Sequence, residues 1–181
     1  YPLRRQRQMC IRDRNITVNV TDVNEKPTFT SLASFDADEN QITIGSVTAD
    51  DVDSSSITFS ISGSDLALTT DGVLSFVTAP DYETKSSYSA TVTASDGDLS
   101  ATQAITVNVI NLNDNAPVFT SSSSLSADEN QTSIDTVTAS DADNSSLSFS
   151  VSGSELIITD SGTLSFVSAP DYETKSSYTA T

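Results

Sequence analysis

The chain has 181 residues, with 8 Lys and Arg against 25 Asp and Glu, a formal net charge of −17 and no His. A phosphate backbone demands a basic footprint, so this balance excludes nucleic acid as a partner. The lack of imidazole argues against zinc or iron, and a lone Cys cannot build a disulfide framework.

The first fourteen residues differ in composition from the rest. All five Arg, the only Met and the only Cys fall there. No apolar run follows the Arg cluster, so it is not a signal peptide. The string Arg5-Gln6-Arg7-Gln8-Met9-Cys10-Ile11-Arg12-Asp13-Arg14 resembles translated sequencing-adapter read-through, and residues 1–14 are set aside as a foreign or disordered tail.

Period-2 alternation then takes over. Ile16-Thr17-Val18-Asn19-Val20 has the pattern of a half-buried strand, and residues 15–26 read as the last strand of a preceding repeat plus a linker. Further alternating runs are Ile44–Ala49, Ile57–Ile61, Val73–Val77, Tyr88–Ala94 and Ala101–Ile110. Turn clusters at Asp50–Ser55, Ser62–Asp65, Thr70–Gly72 and Asp96–Leu99 separate them. Short strands with regular turns predict an all-β, seven-stranded sandwich whose core includes Phe59, Leu74, Phe76 and Tyr88.

The pattern then repeats. Aligning 36–91 with 126–181 gives 37 identities in 56 positions without a gap. A period of about 90 residues means tandem domains. Residues 27–114 form a complete unit, and 115–181 form a second that stops before its last strand. An unpaired sheet edge of that kind invites intermolecular pairing.

Acidic residues recur with the fold: Glu39-Asn40 with Glu129-Asn130, Asp51-Val52-Asp53 with Asp141-Ala142-Asp143, and Asp81-Tyr82-Glu83 with Asp171-Tyr172-Glu173. All are predicted in loops or at strand ends. An Asp-x-Asp turn by itself is often only an Asx turn on a solvated edge. A repeated, ordered set of oxygen donors without imidazole or thiolate instead suits a hard cation. Calcium, with six to eight oxygens, fits irregular loops better than magnesium.

Glu39-Asn40, Asp51-Val52-Asp53, Asp81-Tyr82-Glu83, Ala94-Ser95-Asp96-Gly97 and Asn113-Asp114-Asn115-Ala116-Pro117 occur in that order. This series resembles the cadherin repeat over residues 15–181, and its Ser/Thr-rich strands are most similar to repeats of large bacterial surface adhesins. The resemblance implies tandem seven-stranded Greek-key β-sandwiches with calcium at each junction. At the central junction it implies ligands Glu39, Asp81 and Glu83 from the first repeat. From the linker it implies the side chains of Asn113 and Asp114 and the carbonyls of Leu112 and Asn115. From the second repeat it implies Asp141 and Asp143. The six carboxylates would balance the three calcium ions that the family holds per junction. Upstream, Asn24, Asp51, Asp53 and Asp96 would form an incomplete site. Its linker Asp22–Pro27 is one residue shorter than Asn111–Pro117, and Lys26 stands where an oxygen donor is expected.

The functional expectation is a non-enzymatic, extracellular or cell-surface segment in which calcium stiffens a rod for cell adhesion. Its partners would be calcium, other adhesin copies, or a cell-surface or matrix ligand. Contact with a membrane would come only through parts of the parent protein outside this sequence. Vertebrate-type strand exchange uses an anchoring Trp, which this chain lacks. The alternatives are a passive β-sandwich stalk, a carbohydrate- or matrix-binding module, and an appendage to a hydrolase whose catalytic sequence lies elsewhere.

Overall fold

The computed structural model describes residues 14–143 and 146–181, so nearly all of the tail 1–14 lies outside the described residues. The described chain is all-β, and its first repeat is a two-layer sandwich. That repeat contains β1 (Thr28–Phe29), β2 (Ser34–Asp38), β3 (Thr43–Ser46), β4 (Ala49–Asp50), β5 (Thr58–Ile61), β6 (Leu66–Leu68), β7 (Val73–Phe76), β8 (Ser87–Ser95) and β9 (Ser100–Ile110). One sheet has the order β2-β9-β8-β5, the other β3-β7-β6, and β1 pairs with β4.

There are nine elements rather than seven because the first two strands are each divided. β1 pairs antiparallel with β4, whereas β2 crosses to the other sheet and runs parallel to β9. The crossover is tied where the N–H groups of Thr30 and Ser31 both donate to the carbonyl of Thr48 (2.9 and 3.2 Å). A strand that changes sheets closes the sandwich edge that it would otherwise leave open.

The alternation predicted for Ala101–Ile110 is realised in β9, whose Ile105, Val107 and Val109 point inward and are buried. They meet Leu74 and Phe76 of β7, Val92 of β8 and Ala37 of β2 in one core. Phe76 stacks edge-on against Tyr88 with centroids 5.1 Å apart, and Lys85 reaches over the Tyr88 ring to an ion pair with Asp65 at 2.6 Å. The second repeat copies this device with Phe166, Tyr178, Lys175 and Glu155.

Gly72 shows how tight the turn before β7 is. It has φ +88°, and a Cβ built there would lie 2.3 Å from the carbonyl oxygen of Val47. Val47 lies between β3 and β4, and its N–H donates to the Gly72 carbonyl at 2.8 Å. Gly72→Ala is therefore expected to destabilise the first repeat by at least about 2 kcal/mol in urea unfolding, from left-handed strain plus the clash.

The second repeat contains β10 (Val118–Phe119), β11 (Ser133–Thr136), β12 (Ala139–Ser140), β13 (Leu156–Ile158) and β14 (Thr163–Phe166). These reproduce the β1–β4 pair and the β3-β7-β6 sheet. The stretches matching β2, β5 and β8 carry no strand. In the first repeat β9 pairs with both β2 and β8, and residues 117–181 contain no counterpart of β9. Residues 16–20, expected as a strand, also carry none, because their alternating pattern finds no ladder partner.

Candidate metal centre

The end of β2 positions the first ligand candidate. Glu39 follows Asp38, and Asn40 then turns the chain with φ 62°, a left-handed conformation that Asn tolerates through its short polar side chain. The turn is pinned by the Asn40 N–H donating to the Pro80 carbonyl at 2.9 Å. This points the Glu39 side chain inward, where it is 2% exposed. One of its oxygens accepts from the Tyr82 N–H (2.8 Å) and the other from the Leu112 N–H (2.7 Å). Glu39 thus ties the loop before β8 to the linker that follows β9.

Around this anchor, oxygens of Glu39, Glu83 and Asp114 lie within 4.8 Å of one another. The Asn115 side-chain amide donates to Glu83 (3.2 Å), Asp114 (2.9 Å) and Asp143 (2.9 Å), and the Asn40 amide donates to Asp114. From the second repeat, one Asp143 oxygen accepts the successive linker N–H groups of Asp114 (2.9 Å) and Asn115 (2.7 Å). Asp141 in turn accepts from the Asp143 N–H (2.9 Å). Glu39, Glu83, Asp114, Asn115, Asp141 and Asp143 therefore form one continuous polar network across the junction. Leu112 and Asn113 lie in the linker inside it.

The electrostatics follow the donors. Hydrogen bonds from the Asn115 side chain and from the Asn115 and Asp114 backbones hold the Asp143 carboxyl below its usual range. Desolvation, together with the negative charges of Glu39 and Asp143, pushes Glu83 up. An excess of acceptors that disfavours its own ionisation is what a cation relieves.

Asp81 sits differently from the others. Its oxygens accept from the Glu83 N–H (3.1 Å) and the Thr84 hydroxyl (2.8 Å), closing the turn that presents Glu83. The Thr84 hydroxyl leads the causes that hold its carboxyl low. In the second repeat the corresponding trio is Glu129, Asp171 and Glu173, with oxygens again within 4.8 Å of one another. There Asp171 takes the place that the linker residue Asp114 takes in the first trio.

The upstream residues are also gathered. The Asn24 amide donates to Asp96 (3.0 Å), the Glu25 N–H to Asp53 (2.8 Å) and the Asp53 N–H to Asp51 (2.9 Å). The shorter linker offers Asp53 one backbone N–H where Asp143 receives two. The Asp53 hydrogen bond and charge raise the Glu25 carboxyl, while the Glu25 N–H leads the causes that hold the Asp53 carboxyl low.

Two oxygens stand out among the described residues, one on the predicted ligand Asp51 and one on Asn111, which the sequence did not single out. Asp51 Oδ2 and Asn111 Oδ1 are buried without a hydrogen-bond partner among the described residues. Buried acceptors are nearly always satisfied, and oxygen atoms left over beside carboxylate clusters fit a hard cation. Asn111 heads the linker, and its only sequence signal was its place before Leu112 in the junction string.

No protein-family profile matches the chain. Cadherin-5 of Danio rerio is 33% identical over 146 residues, covering 72% of this chain and 19% of that protein. Chitinase A of Pseudoalteromonas piscicida is 33% identical over 130 residues, covering 70% of this chain and 16% of that protein. The chain thus spans less than a fifth of either relative. Among solved structures, human Protocadherin-24 EC1-2 superposes with a TM-score of 0.71 at 24% identity, covering 84% of this chain and 82% of that one. Mouse Cadherin-23 EC22-24 gives a TM-score of 0.67 at 26% identity, covering 82% and 56%.

Proposed function

Because the chain is built of cadherin-like repeats, we propose that it is an extracellular adhesive or spacer segment whose central junction is stiffened by calcium. The observation that carries this reading is the sharing of acidic groups across the seam. Glu39, Glu83 and Asp114 converge within 4.8 Å, and the linker holding Asp114 is bonded to Asp143 of the next repeat. A cation there would bind both repeats at once. Glu39, Glu83, Asp114, Asp141 and Asp143 would hold it, with Asp81 closing the turn that presents Glu83. Bound calcium would supply positive charge that offsets carboxylate repulsion; the chain itself supplies the paired domains and the rigid proline-ended linker.

Asn24, Asp51, Asp53 and Asp96 form the matching half of an upstream site, with fewer linker donors. Residues 27–114 and 115–181 would be the mechanical units of the rod. The role is non-catalytic: its carboxylates are committed to turns and a linker. At the cell surface, such a rod would meet other copies or a matrix ligand.

Calorimetric calcium titration tests the reading. The wild-type chain is expected to bind calcium, and Asp143→Asn to lose at least about tenfold in affinity, since it removes one charge from a shared site. Equal binding by the two proteins would place calcium elsewhere.

The match to Chitinase A favours a second role for the same module. It would act as a spacer joined to a catalytic region elsewhere in a longer chain.

A further inference from the structure

The three parts of the central junction converge on one neutral side chain. The Asn115 amide donates to Glu83 of the first repeat (3.2 Å), to Asp114 of the linker (2.9 Å) and to Asp143 of the second repeat (2.9 Å). Ionised carboxylates only accept, so the NH2 end of the amide must face them, with two protons for three acceptors. Both ion pairs among the described residues, Lys85 with Asp65 and Lys175 with Glu155, lie elsewhere. An uncharged amide therefore stands where the carboxylates call for a positive charge.

The surrounding bonds give this amide its leverage. Asp143 Oδ2 accepts the linker N–H groups of Asp114 (2.9 Å) and Asn115 (2.7 Å), which leaves Oδ1 for the amide. Asp114 places one oxygen on the Asn115 amide and the other on the Asn40 amide. The backbone bonds join Asp143 to the linker. The Asn115 side chain adds the bridge from Asp143 to Glu83, and so from one repeat to the other. These two carboxylates repel, and the Asp143 charge is among the causes that raise Glu83.

We propose that the Asn115 side chain is a latch that holds the seam closed without metal and gives up its place when a cation enters. A nitrogen about 3 Å from three carboxylate oxygens occupies the position of a cation shared by the same oxygens, whose bonds to calcium are about 2.3–2.6 Å long. Amide and cation exclude one another there. Linkage fixes the consequence: an interaction made only in the metal-free state weakens metal binding by its own strength. The latch thus keeps the two repeats in register when cations are scarce, and it sets the concentration at which a cation takes over. The bridging needs no metal; the yielding rests on the calcium reading.

Hydrogen exchange of the whole 181-residue chain in EDTA tests the bridge. The probes are the backbone N–H groups of residues 114 and 115, whose bonds to Asp143 last only while the seam is closed. Asn115→Ala retains both N–H groups and trims an exposed side chain, so the repeats fold as before. Protection factors at 114 and 115 are expected to fall at least about tenfold. Asn115→Asp keeps the shape but replaces the donor with an acceptor, and is expected to lose at least as much. Unchanged protection in N115A would overturn the latch, and so would an N115D chain that matches wild type, because shape rather than donation would then close the seam.

Calorimetric calcium titration tests the yielding. N115A is expected to bind at least about fivefold more tightly than wild type. Equal or weaker binding would show that the amide stays in place beside the ion, contrary to the proposal. A wild type that binds no calcium, alongside an N115A chain that loses protection in EDTA, would remove the calcium reading and leave the bridge standing.

Discussion

Adding calcium to the EDTA-treated chain is expected to raise its melting temperature by about 10–20 °C at about 100 times the dissociation constant. Mass action gives about 2.7 kcal/mol at that ratio, and a domain of this size gains about 4–8 °C per kcal/mol. The physical source is the crowding of Glu39, Glu83 and Asp114, whose oxygens lie within 4.8 Å of one another. Each like-charged pair costs between about 1 and about 4 kcal/mol, depending on the effective dielectric. Without metal, that repulsion is opposed by amide hydrogen bonds from Asn40 and Asn115. With metal, the same carboxylates attract a shared charge and the seam tightens. The particle should become longer and stiffer by small-angle scattering in parallel with the thermal shift. A melting curve and scattering profile indifferent to millimolar calcium would sink the calcium reading and leave a passive stalk.

The second large effect is predicted without any metal. Glu39→Ala is expected to cost about 2–4 kcal/mol in denaturant unfolding in EDTA, because it strips the acceptors from two backbone N–H groups, Tyr82 and Leu112, at a buried position. The equivalent Glu129→Ala should cost no more than about 1 kcal/mol. Glu129 is exposed and bonded to the Tyr172 N–H at 2.9 Å. If Glu39→Ala were neutral in EDTA, Glu39 would be a ligand only, and its role in tying the linker to the loop before β8 would be wrong. The contrast between two residues in identical local sequence makes the test sharp. The difference comes from the Leu112 N–H, which bonds to Glu39, whereas Glu129 accepts from the Tyr172 N–H.

That contrast also marks how far the sequence reaches. The all-β class and the inward face of β9 followed from alternation, and the acidic positions from a repeat that brings back the same carboxylates. Alternation failed where a strand had no continuous pattern: β6 is only Leu66–Leu68, and β2, Ser34–Asp38, has one fully buried residue in five. It also overreached at Ile16–Val20, where a strand-like pattern lacks a partner.

Among the site residues, Glu39, Asp81 and Glu83 looked equivalent on paper. Folding separates them into a buried anchor, a turn-former and a carboxylate facing the seam. Asp51 was expected as a ligand, but that one of its oxygens is buried and unpaired among the described residues was not legible, and Asn111 carried no signal of its own.

The sequence by itself determined the repeated sandwich and the chemistry of its ends, because strand period and residue type are local properties that each copy states again. Only the tertiary structure decided which carboxylate is buried, which two strands divide between sheets, and that Asp143 grips the linker of the repeat before it. Burial and ion sharing depend on groups brought together from positions as far apart as Glu39 and Leu112, or Glu83 and Asp143. No local pattern encodes that proximity.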